Sequence, residues 1–271
     1  MGMVVRTNIM GINANRQLGM NNNQVSKSLE KLSSGYRINR AADDASGLAI
    51  SEKMKAQIKG LEQASSNCQD AISLVQTAEG ATTEIHNMLN RMVELTTKAA
   101  NGIYDDVDKD AIKKELDALG EEITRITEST KFNNTTLLSG DLDTQLQIGS
   151  ESTDTINVAC SNLAASELDV DALDVSAADK ANESLGKVKL AINKVSTQRA
   201  NLGAIQNRLE YTINNLDTTA ENMSAANSRI RDTDMAKEMM NYTKMNVLTQ
   251  AAQAMLAQAN QQPQAVLQLL Q

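Results

Sequence analysis

The sequence from Leu185 to Ile230 repeats a stripe of mostly apolar residues at alternating steps of three and four, without interruption. Because an α-helix has about 3.6 residues per turn, these residues line one face of a single long helix. An apolar stripe of this length needs a partner helix, which predicts a coiled coil. The stripe consists of Leu185, Val188, Ile192, Val195, Arg199, Leu202, Gln206, Leu209, Ile213, Leu216, Ala220, Met223, Asn227 and Ile230.

Two further helices are predicted upstream of this stripe. Periodic apolar residues extend from Asp44 to about Ala100, and a third helix is expected from about Asp106 to Thr130. Only 2% of residues are aromatic, with no Trp and a single Phe, so a wide globular core is not expected. The predicted fold class is mainly α, a long antiparallel α-helical coiled-coil rod. The upstream stripe contains Ile58, Leu61, Cys68, Ile72, Val75, Ile85, Leu89, Met92 and Leu95.

Local signals indicate where the helices begin and end. Gly35 suits the C-cap of a first helix from Asn8 to about Leu32, and Asp44 suits the N-cap of the next helix. Ser176-Ala177-Ala178-Asp179 matches a capping box at the start of the long C-terminal helix. A shift of register at Arg231-Asp232 predicts a linker after that helix.

The two ends of the chain are amphipathic but nearly uncharged. Residues 245–271 contain no charged side chain, and Arg16 is the only charge between Arg6 and Lys27. We expect these ends to pair into an inner coiled coil and then to contact neighbouring copies. The alternative is an intramolecular coiled-coil stalk. The predicted seams contain Leu18, Asn22, Val25, Leu29, Leu32 and Tyr36 at the start, and Met245, Leu248, Ala252, Met255, Ala259, Val266 and Leu269 at the end.

Residues 133–175 differ from the helical remainder. Three segments alternate in the manner of strands, with turn residues between them, which predicts a small β-hairpin region. No Lys or Arg occurs from Phe132 to Asp179, so the acids there predict a surface that faces solvent. The strand segments are 135–138, 144–148 and 155–158. The acids are Asp141, Asp143, Glu151, Asp154, Glu167, Asp169, Asp171 and Asp174.

Net charge and hydropathy exclude several classes of partner. With a net charge of −8 and a pI near 4.8, the chain has no basic stripe for nucleic acid. No apolar run approaches the roughly 20 residues that span a bilayer, so no membrane segment is predicted. The start of the chain lacks the apolar region of a secretory signal peptide. The protein therefore stays in the cell or leaves by another route.

The sequence offers no strong signal for catalysis or metal binding. Cys68 and Cys160 lack redox or zinc spacing and are expected to be free thiols that are buried or half-buried. His86 is the single histidine, and no catalytic motif lies near it. Residues 106–110 resemble the start of a calcium loop, but Ala111 stands where that loop needs glycine. Acidic residues at a helix N-terminus are expected instead, and no cofactor, metal or enzymatic activity is predicted.

Residues near both ends resemble the terminal signatures of bacterial flagellins. Near the start these are LSSGYRIN at 32–39 and ADDASGLAI at 42–50. Near the end they are SRIRDTD at 228–234, QAA at 250–252 and AMLAQAN at 254–260. Because extended motifs occur at both ends in the correct order, the resemblance is specific and covers nearly the whole chain.

The resemblance implies a subunit of the flagellar filament, in a short form that lacks the outer D2 and D3 domains. Residues 1–43 would be the N-terminal D0 helix and linker, and 231–271 the C-terminal D0 linker and helix. Residues 44–175 would form the N-terminal D1 helices and the β-hairpin region, and 176–230 the C-terminal D1 helix. The acidic hairpin region would then lie on the outside of the filament.

The resemblance also implies partners and a location. The chain would polymerise with itself and contact the filament cap and junction proteins. It would pass through the flagellar export machinery with a secretion chaperone, and it would reach the extracellular filament without a cleaved signal peptide. The alternative is a hook–filament junction protein or another axial protein of the flagellum.

A second implication is recognition by an animal Toll-like receptor. The D1 patch that flagellins present to this receptor corresponds here to Asn90, Arg91, Leu95 and Glu115. Arg91 offers bidentate hydrogen bonding and Leu95 an apolar contact, so the two form a candidate hot-spot pair. The alternative is that this helix surface serves only contacts between stacked subunits.

Overall fold

A computed structural model describes residues 7–101, 103–140 and 142–269, and side chains only as far as Gln261. Five helices and four short strands occur in these ranges. The helices are α1 (Ile9–Ser34), α2 (Ala45–Ala99), α3 (Asp106–Ser129), α4 (Ala178–Arg231) and α5 (Met235–Leu269). The strands are β1 (Lys131–Phe132), β2 (Thr135–Thr136), β3 (Asp143–Gln147) and β4 (Thr155–Ala159). The predicted fold class is confirmed.

The chain divides into two compact units that do not follow the order of the sequence. The first unit contains the described residues up to Ala56 together with those from Asn222 onward, and the second unit contains Gln57–Glu221. Both α2 and α4 therefore contribute residues to each unit. The D0 and D1 boundaries implied by the family resemblance stay a prediction.

Side chains that accept backbone N–H groups define the helix starts. Asn8 caps α1 by accepting from the Gly11 amide (2.9 Å), and Asp44 accepts from the Gly47 amide (2.9 Å) at the start of α2. Each removes a donor that the first turn of a helix would leave without a partner. Gly35 follows α1 with φ of 73°, the left-handed conformation that a C-cap glycine adopts without steric cost. These predicted boundaries are confirmed.

The start of α4 differs from the prediction. The first helical hydrogen bond runs from Ala181 N to Ala177 O, so the expected capping box at Ser176 is not formed. Instead, Asp174 Oδ1 accepts from the Ser176 amide (2.9 Å) and Oδ2 contacts Lys180 Nζ (2.6 Å). The ion pair with Lys180 and the hydrogen bonds of Ser176 hold the pKa of Asp174 well below its usual range. An acid outside the motif therefore organises this helix terminus.

The apolar stripes of the second unit are buried as the spacing predicts. On α4, the stripe residues Val188, Val195, Leu202, Leu209 and Leu216 are buried, and the intervening stripe residues are half-buried. A side-chain hydrogen bond from Ser65 Oγ of α2 to Asp217 Oδ1 of α4 (3.0 Å) joins the two helices. The buried stripe residues of α2 are Leu61, Cys68, Val75, Ile85, Leu89, Met92 and Leu95.

Two antiparallel hairpins, β1–β2 and β3–β4, lie between α3 and α4. The sequence did not indicate β1, whose turn to β2 uses Asn133 and Asn134 at φ of 45° and 67°. Asn tolerates this left-handed region better than most residues, so a two-residue turn forms without glycine. In the longer hairpin, Asp143 pairs with Ala159 and Gln147 with Thr155.

The segment after β4 supplies much of the core that the sequence did not predict. The described acids of this region are exposed, except that Asp174 is half-buried, as a solvent-facing surface requires. Apolar residues between these acids nevertheless pack inward from an irregular backbone. Those that are buried are Cys160, Leu163, Ala165, Leu168, Val170, Leu173 and Val175. Irregular backbone has no fixed period, so spacing alone could not identify them.

In the first unit, hydrogen bonds and side-chain contacts join the linker after α1 to the linker after α4, and we call this set of contacts the linker clasp. Arg37 N donates to Arg231 O (2.7 Å) and Thr233 N donates to Gly35 O (2.9 Å). The Arg231 guanidinium lies over the Tyr36 ring, 4.7 Å from its centroid, and forms an ion pair with Glu52. The Arg231 side chain is 15% exposed, so these contacts are shielded from solvent more than an ordinary surface pair.

Leu202→Ala is expected to destabilise the second unit by about 2–5 kcal/mol, because truncating a fully buried leucine leaves a cavity. Urea unfolding followed by circular dichroism measures this change. The matched control is Leu190→Ala on the same helix, where the side chain is 64% exposed and a change within about 0.5 kcal/mol is expected. Equal effects of the two substitutions would contradict the assigned faces of α4.

Arg231→Ala is expected to lower the free energy that holds the linker clasp closed by about 1–2 kcal/mol. The substitution removes the contact with Tyr36 and the ion pair with Glu52. Hydrogen exchange should become faster at the amide of Thr233, which is bonded across the linkers. Arg229→Ala, at an exposed position on the same helix, should leave that rate unchanged. Unchanged protection in Arg231→Ala would show that the backbone bridge alone holds the linkers.

Candidate functional site

The terminal helices α1 and α5 pack directly against each other. Asn8 Nδ2 donates across the pair to Ala259 O (2.8 Å), in addition to capping its own helix. A Cβ built at Gly11 would lie 3.2 Å from Asn260 Oδ1 of α5 and 2.9 Å from Asn8 Nδ2. A side chain larger than hydrogen at residue 11 would therefore displace the Asn8 and Asn260 side chains, including the Asn8 amide that bonds Ala259 O.

The seam between these helices keeps the predicted seven-residue repeat but not every predicted residue. Leu18, Val25 and Leu32 are half-buried on α1, and Met245, Ala252 and Ala259 are half-buried on α5. The second place in each repeat is occupied by a neighbouring residue. On α1 the inward residues are Asn21 and Ser28, and on α5 they are Thr249 and Leu256.

Leu29, Leu248 and Met255 were predicted in the seam but face outward in the described chain. Their exposed fractions are 53%, 41% and 64%. Closely approaching helices favour small or slender residues between them, and Ser28 and Thr249 fill the inward places that the two leucines were expected to fill. Val266 and Leu269 lie in α5, but their side chains are outside the described residues.

The outward faces of α1 and α5 expose many large apolar side chains among Asn, Gln and Thr. We call this set the terminal apolar surface. Exposed apolar residues at this density are unusual for a monomer and indicate a surface that another molecule covers. No acid or base interrupts α5 after Lys244 or α1 between Arg16 and Lys27. The terminal apolar surface comprises Ile9, Met10, Ile12, Met20 and Leu29 on α1 and Met235, Met239, Met240, Val247, Leu248 and Met255 on α5.

Sequence reasoning missed part of this surface. It assigned one apolar seam to each terminal helix, whereas Ile9, Met10 and Ile12 lie beyond that seam on α1. Met239 and Met240 precede the uncharged segment on which the sequence analysis concentrated, and they line a shallow groove with Val247 and Leu248. The available signal was an apolar residue on more than one face of each helix.

The structure brings together three of the four residues of the predicted receptor patch. Arg91 Nε donates to Glu115 Oε1 of α3 (3.0 Å), and Arg91 Nη1 donates to Glu94 Oε2 (2.9 Å). These hydrogen bonds, first that of Glu94 and then that of Glu115, raise the pKa of the Arg91 guanidinium. Asn90 is exposed beside Arg91 on α2.

Leu95 does not lie on the surface of this patch. Its side chain is 4% exposed because residue 95 falls on the α2 stripe that packs into the core. Leu95 is therefore largely covered in the isolated chain, and its role as an apolar contact for a receptor stays a prediction. The small accessible part of Leu95 borders a groove next to Arg91 that Lys98 and Tyr104 also line. The Lys98 ammonium lies 5.2 Å from the centroid of the Tyr104 ring.

The remaining candidate groups are structural. Cys68 and Cys160 are free and buried, as predicted, and burial raises the pKa of both thiols. Asp106 and Asp108 lie in the first turn of α3, where carboxylates complement the helix dipole. Among the described residues, no group of three or more His, Cys, Asp or Glu side chains is placed to hold a metal ion. No helix in the described ranges is both long and apolar enough to cross a bilayer.

Comparison with known proteins identifies both halves of the chain. Residues 5–143 match the bacterial flagellin N-terminal helical region, and residues 185–270 match the bacterial flagellin C-terminal helical region. The residues between these matches include β4 and the buried segment that follows it.

Two flagellin sequences align with nearly the whole chain, and one flagellin crystal structure aligns with part of it. The chain is 52% identical to flagellin of Halalkalibacterium halodurans, with 99% of this chain and 100% of the relative covered. It is 50% identical to flagellin of Bacillus subtilis, again with 99% and 100% covered. The crystal structure of Bacillus cereus flagellin aligns with a TM-score of 0.52 and 33% identity over 60% of this chain and 94% of that chain. The chain therefore belongs to the bacterial flagellin family, whose members are structural subunits of the flagellar filament.

Proposed function

We propose that this chain assembles into the filament by covering its terminal apolar surface with the same surface of other copies. The observation that supports this is the exposure of large apolar side chains on both α1 and α5, with Met10 at 64% and Met255 at 64%. A second copy is the fitting occupant because residues 245–271 are uncharged and Arg16 is the only charge between Arg6 and Lys27, so stacked copies bring few like charges together there. Assembly then supplies apolar burial that one subunit lacks.

The polymer that we propose is open and helical. Contacts between different faces of identical subunits produce a ring if the rotation closes and a filament if it does not. The α1–α5 pair exposes apolar residues on both helices, so one subunit can contact copies on more than one side. The acidic hairpin region would face outward, where its uncompensated negative charge is hydrated and keeps filaments apart.

The route and partners follow from family membership as further proposals. The subunit would leave the cell through the flagellar export machinery and join an extracellular filament beneath the cap protein. Before export, a secretion chaperone would cover the terminal apolar surface, since exposed apolar helices associate prematurely at cellular concentrations. The first subunits would contact junction proteins at the base of the filament. The role that we propose is structural, with no substrate turned over.

The competing role is that of a hook–filament junction protein or another axial protein. Such a protein can use similar terminal helices without growing into a long polymer by itself. Negative-stain electron microscopy of the purified chain after salt-induced seeding separates the two roles. Long filaments support the filament subunit, whereas short oligomers that stop growing favour the junction protein.

Deletion of Asn260–Gln271 is expected to block polymerisation, because it removes the last turns of α5. The second unit should stay folded in this variant, since it contains none of the deleted residues. Electron microscopy measures polymerisation, and circular dichroism measures retained helix. Filaments of normal length from the truncated chain would refute the proposed role of the terminal helices.

A charge substitution tests the same surface with less disruption. Leu248→Asp combined with Met255→Asp places carboxylates on the exposed face of α5, where folding of the single chain does not need the apolar side chains. The critical concentration should rise at least about tenfold, because burying unpaired charges between copies is costly. The control Thr153→Asp adds charge at an exposed position of the acidic hairpin region and should leave assembly unchanged.

We further propose that the unassembled subunit is a ligand of the flagellin-sensing Toll-like receptor through Asn90, Arg91 and Glu115. Support comes from the exposure of these side chains and from the fixed position of the Arg91 guanidinium between two carboxylates. An arginine held in place loses less conformational entropy on binding than a free one. Contacts between stacked subunits can use the same surface, so the receptor would bind monomer and not intact filament.

Arg91→Ala is expected to raise the half-maximal concentration of purified monomer in a receptor reporter-cell assay by at least about tenfold, as for an arginine hot spot. Arg125→Ala is the matched control, because Arg125 is also exposed and pairs with Glu122 on α3. It should leave the response unchanged. A response to Arg91→Ala equal to that of the unsubstituted chain would remove Arg91 from the proposed site, and a silent unsubstituted monomer would refute the receptor role.

A further inference from the structure

We propose that the exposed methionines of α1 and α5 are a modification site at which hydrogen peroxide forms methionine sulfoxide and thereby blocks assembly of the free subunit. This inference rests on the proposed self-assembly through the terminal apolar surface. Its basis is an uneven distribution of sulfur atoms over the chain, together with the chemistry of the surface on which the exposed sulfurs lie.

Every methionine that is largely exposed in the described residues lies on α1 or α5. The methionines of α2 and α4 are half-buried or, in the case of Met92, fully buried. Met245 of α5, which lies in the seam with α1, is also half-buried. The exposed set is Met10 (64%), Met20 (53%), Met235 (47%), Met239 (48%), Met240 (67%) and Met255 (64%). An oxidant in solution therefore meets thioethers chiefly on the surface that copies must cover.

The two thiols do not compete for the oxidant. Cys68 is 0% exposed and Cys160 is 3% exposed, so peroxide has little access to either sulfur. Burial also raises the pKa of both thiols, which lowers the fraction of reactive thiolate at neutral pH. Gln198 Nε2 lies 3.0 Å from the Cys160 sulfur and closes that site further. The exposed thioethers are consequently the accessible reductants.

The reaction needs only the thioether and peroxide. A lone pair on the methionine sulfur attacks one peroxide oxygen, the O–O bond breaks, and an S–O bond forms. The departing hydroxide takes the proton from the transferred oxygen and leaves as water. Sulfur is oxidised by two electrons and peroxide is reduced by two, so no other reactant is required.

The product changes the chemistry of the terminal apolar surface. A sulfoxide is a strong hydrogen-bond acceptor, and an apolar contact between copies gives it no donor. Met239 and Met240 line their groove with Val247 and Leu248, so oxidation there makes an otherwise apolar part of the surface polar. In the assembled polymer these sulfurs would be covered, and so oxidation acts on free subunits before they join.

The test uses the full chain as purified monomer, treated with hydrogen peroxide and then freed of it. Peptide mass spectrometry locates the added oxygen, and light scattering with electron microscopy measures polymerisation. We expect oxygen at Met10, Met240 and Met255 well before Met92, and a critical concentration at least about tenfold higher after treatment. Treatment with methionine sulfoxide reductases should restore assembly.

Two variants make the assignment specific. One replaces Met235, Met239, Met240 and Met255 by leucine, which has similar volume and no oxidisable sulfur. Its own untreated assembly sets the baseline, and relative to that baseline it should lose at least half of the inhibition, on a logarithmic scale, that peroxide causes. The control, Met88→Leu, replaces a half-buried methionine of α2 and should remain fully sensitive.

The outcomes separate this inference from the proposed function. Untreated chain that never polymerises would refute the assembly role itself. Normal assembly of both untreated and oxidised chain would refute the inference alone, as would full peroxide sensitivity of the leucine variant. If that variant does not assemble untreated, the reductase treatment decides: recovered assembly supports the inference, and failure to recover overturns it.

Discussion

The close packing of α1 against α5 is the constraint on which the proposed assembly depends. Two helices can bury only one stripe each against one another. Here the stripe includes small or polar residues such as Gly11, Ser28 and Thr249, so the backbones approach closely. Larger apolar residues, including Leu29 and Met255, remain on the outside. The pair is therefore a folded element with an uncovered apolar surface, and we propose that other copies cover it.

The second unit differs from the α1–α5 pair because it has an extensive buried core of its own. Every second stripe residue of α4 from Val188 to Leu216 is buried and the others are half-buried, and a hydrogen bond between Ser65 and Asp217 joins α2 to α4. Irregular backbone after β4 adds Leu163 and Leu168 to the core while its acids face solvent. One segment thus provides both packing inside and negative charge outside. The sulfur atoms of the second unit are buried or half-buried, whereas all described methionines of the terminal helices except Met245 are exposed where assembly is proposed.

The sequence predicted the local features with few errors. Asn8 and Asp44 stand at the start of α1 and α2, and Gly35 follows the end of α1, as expected. Capping depends on a side chain and on backbone only a few residues away, so local sequence predicts it. Prediction failed where two choices satisfy the same local rule. A three-four repeat permits either Ser28 or Leu29 in the seam, and only the distance between helices selects Ser28. At Leu95 the stripe correctly predicted burial, whereas the family motif indicated a surface contact, since a motif marks a position on a helix and not the direction in which its side chain points.

The sequence by itself determined that this chain forms long helices, that its ends are apolar without being charged, and that it resembles flagellins. Those properties follow from periodicity, composition and extended motifs, which need no knowledge of distant contacts. Only the tertiary structure decided which apolar residues remain uncovered, that Arg231 stacks on Tyr36, and that Arg91 is held by Glu115. Each of these depends on residues far apart in the chain meeting at a particular distance and angle, and that information appears only when the helices pack.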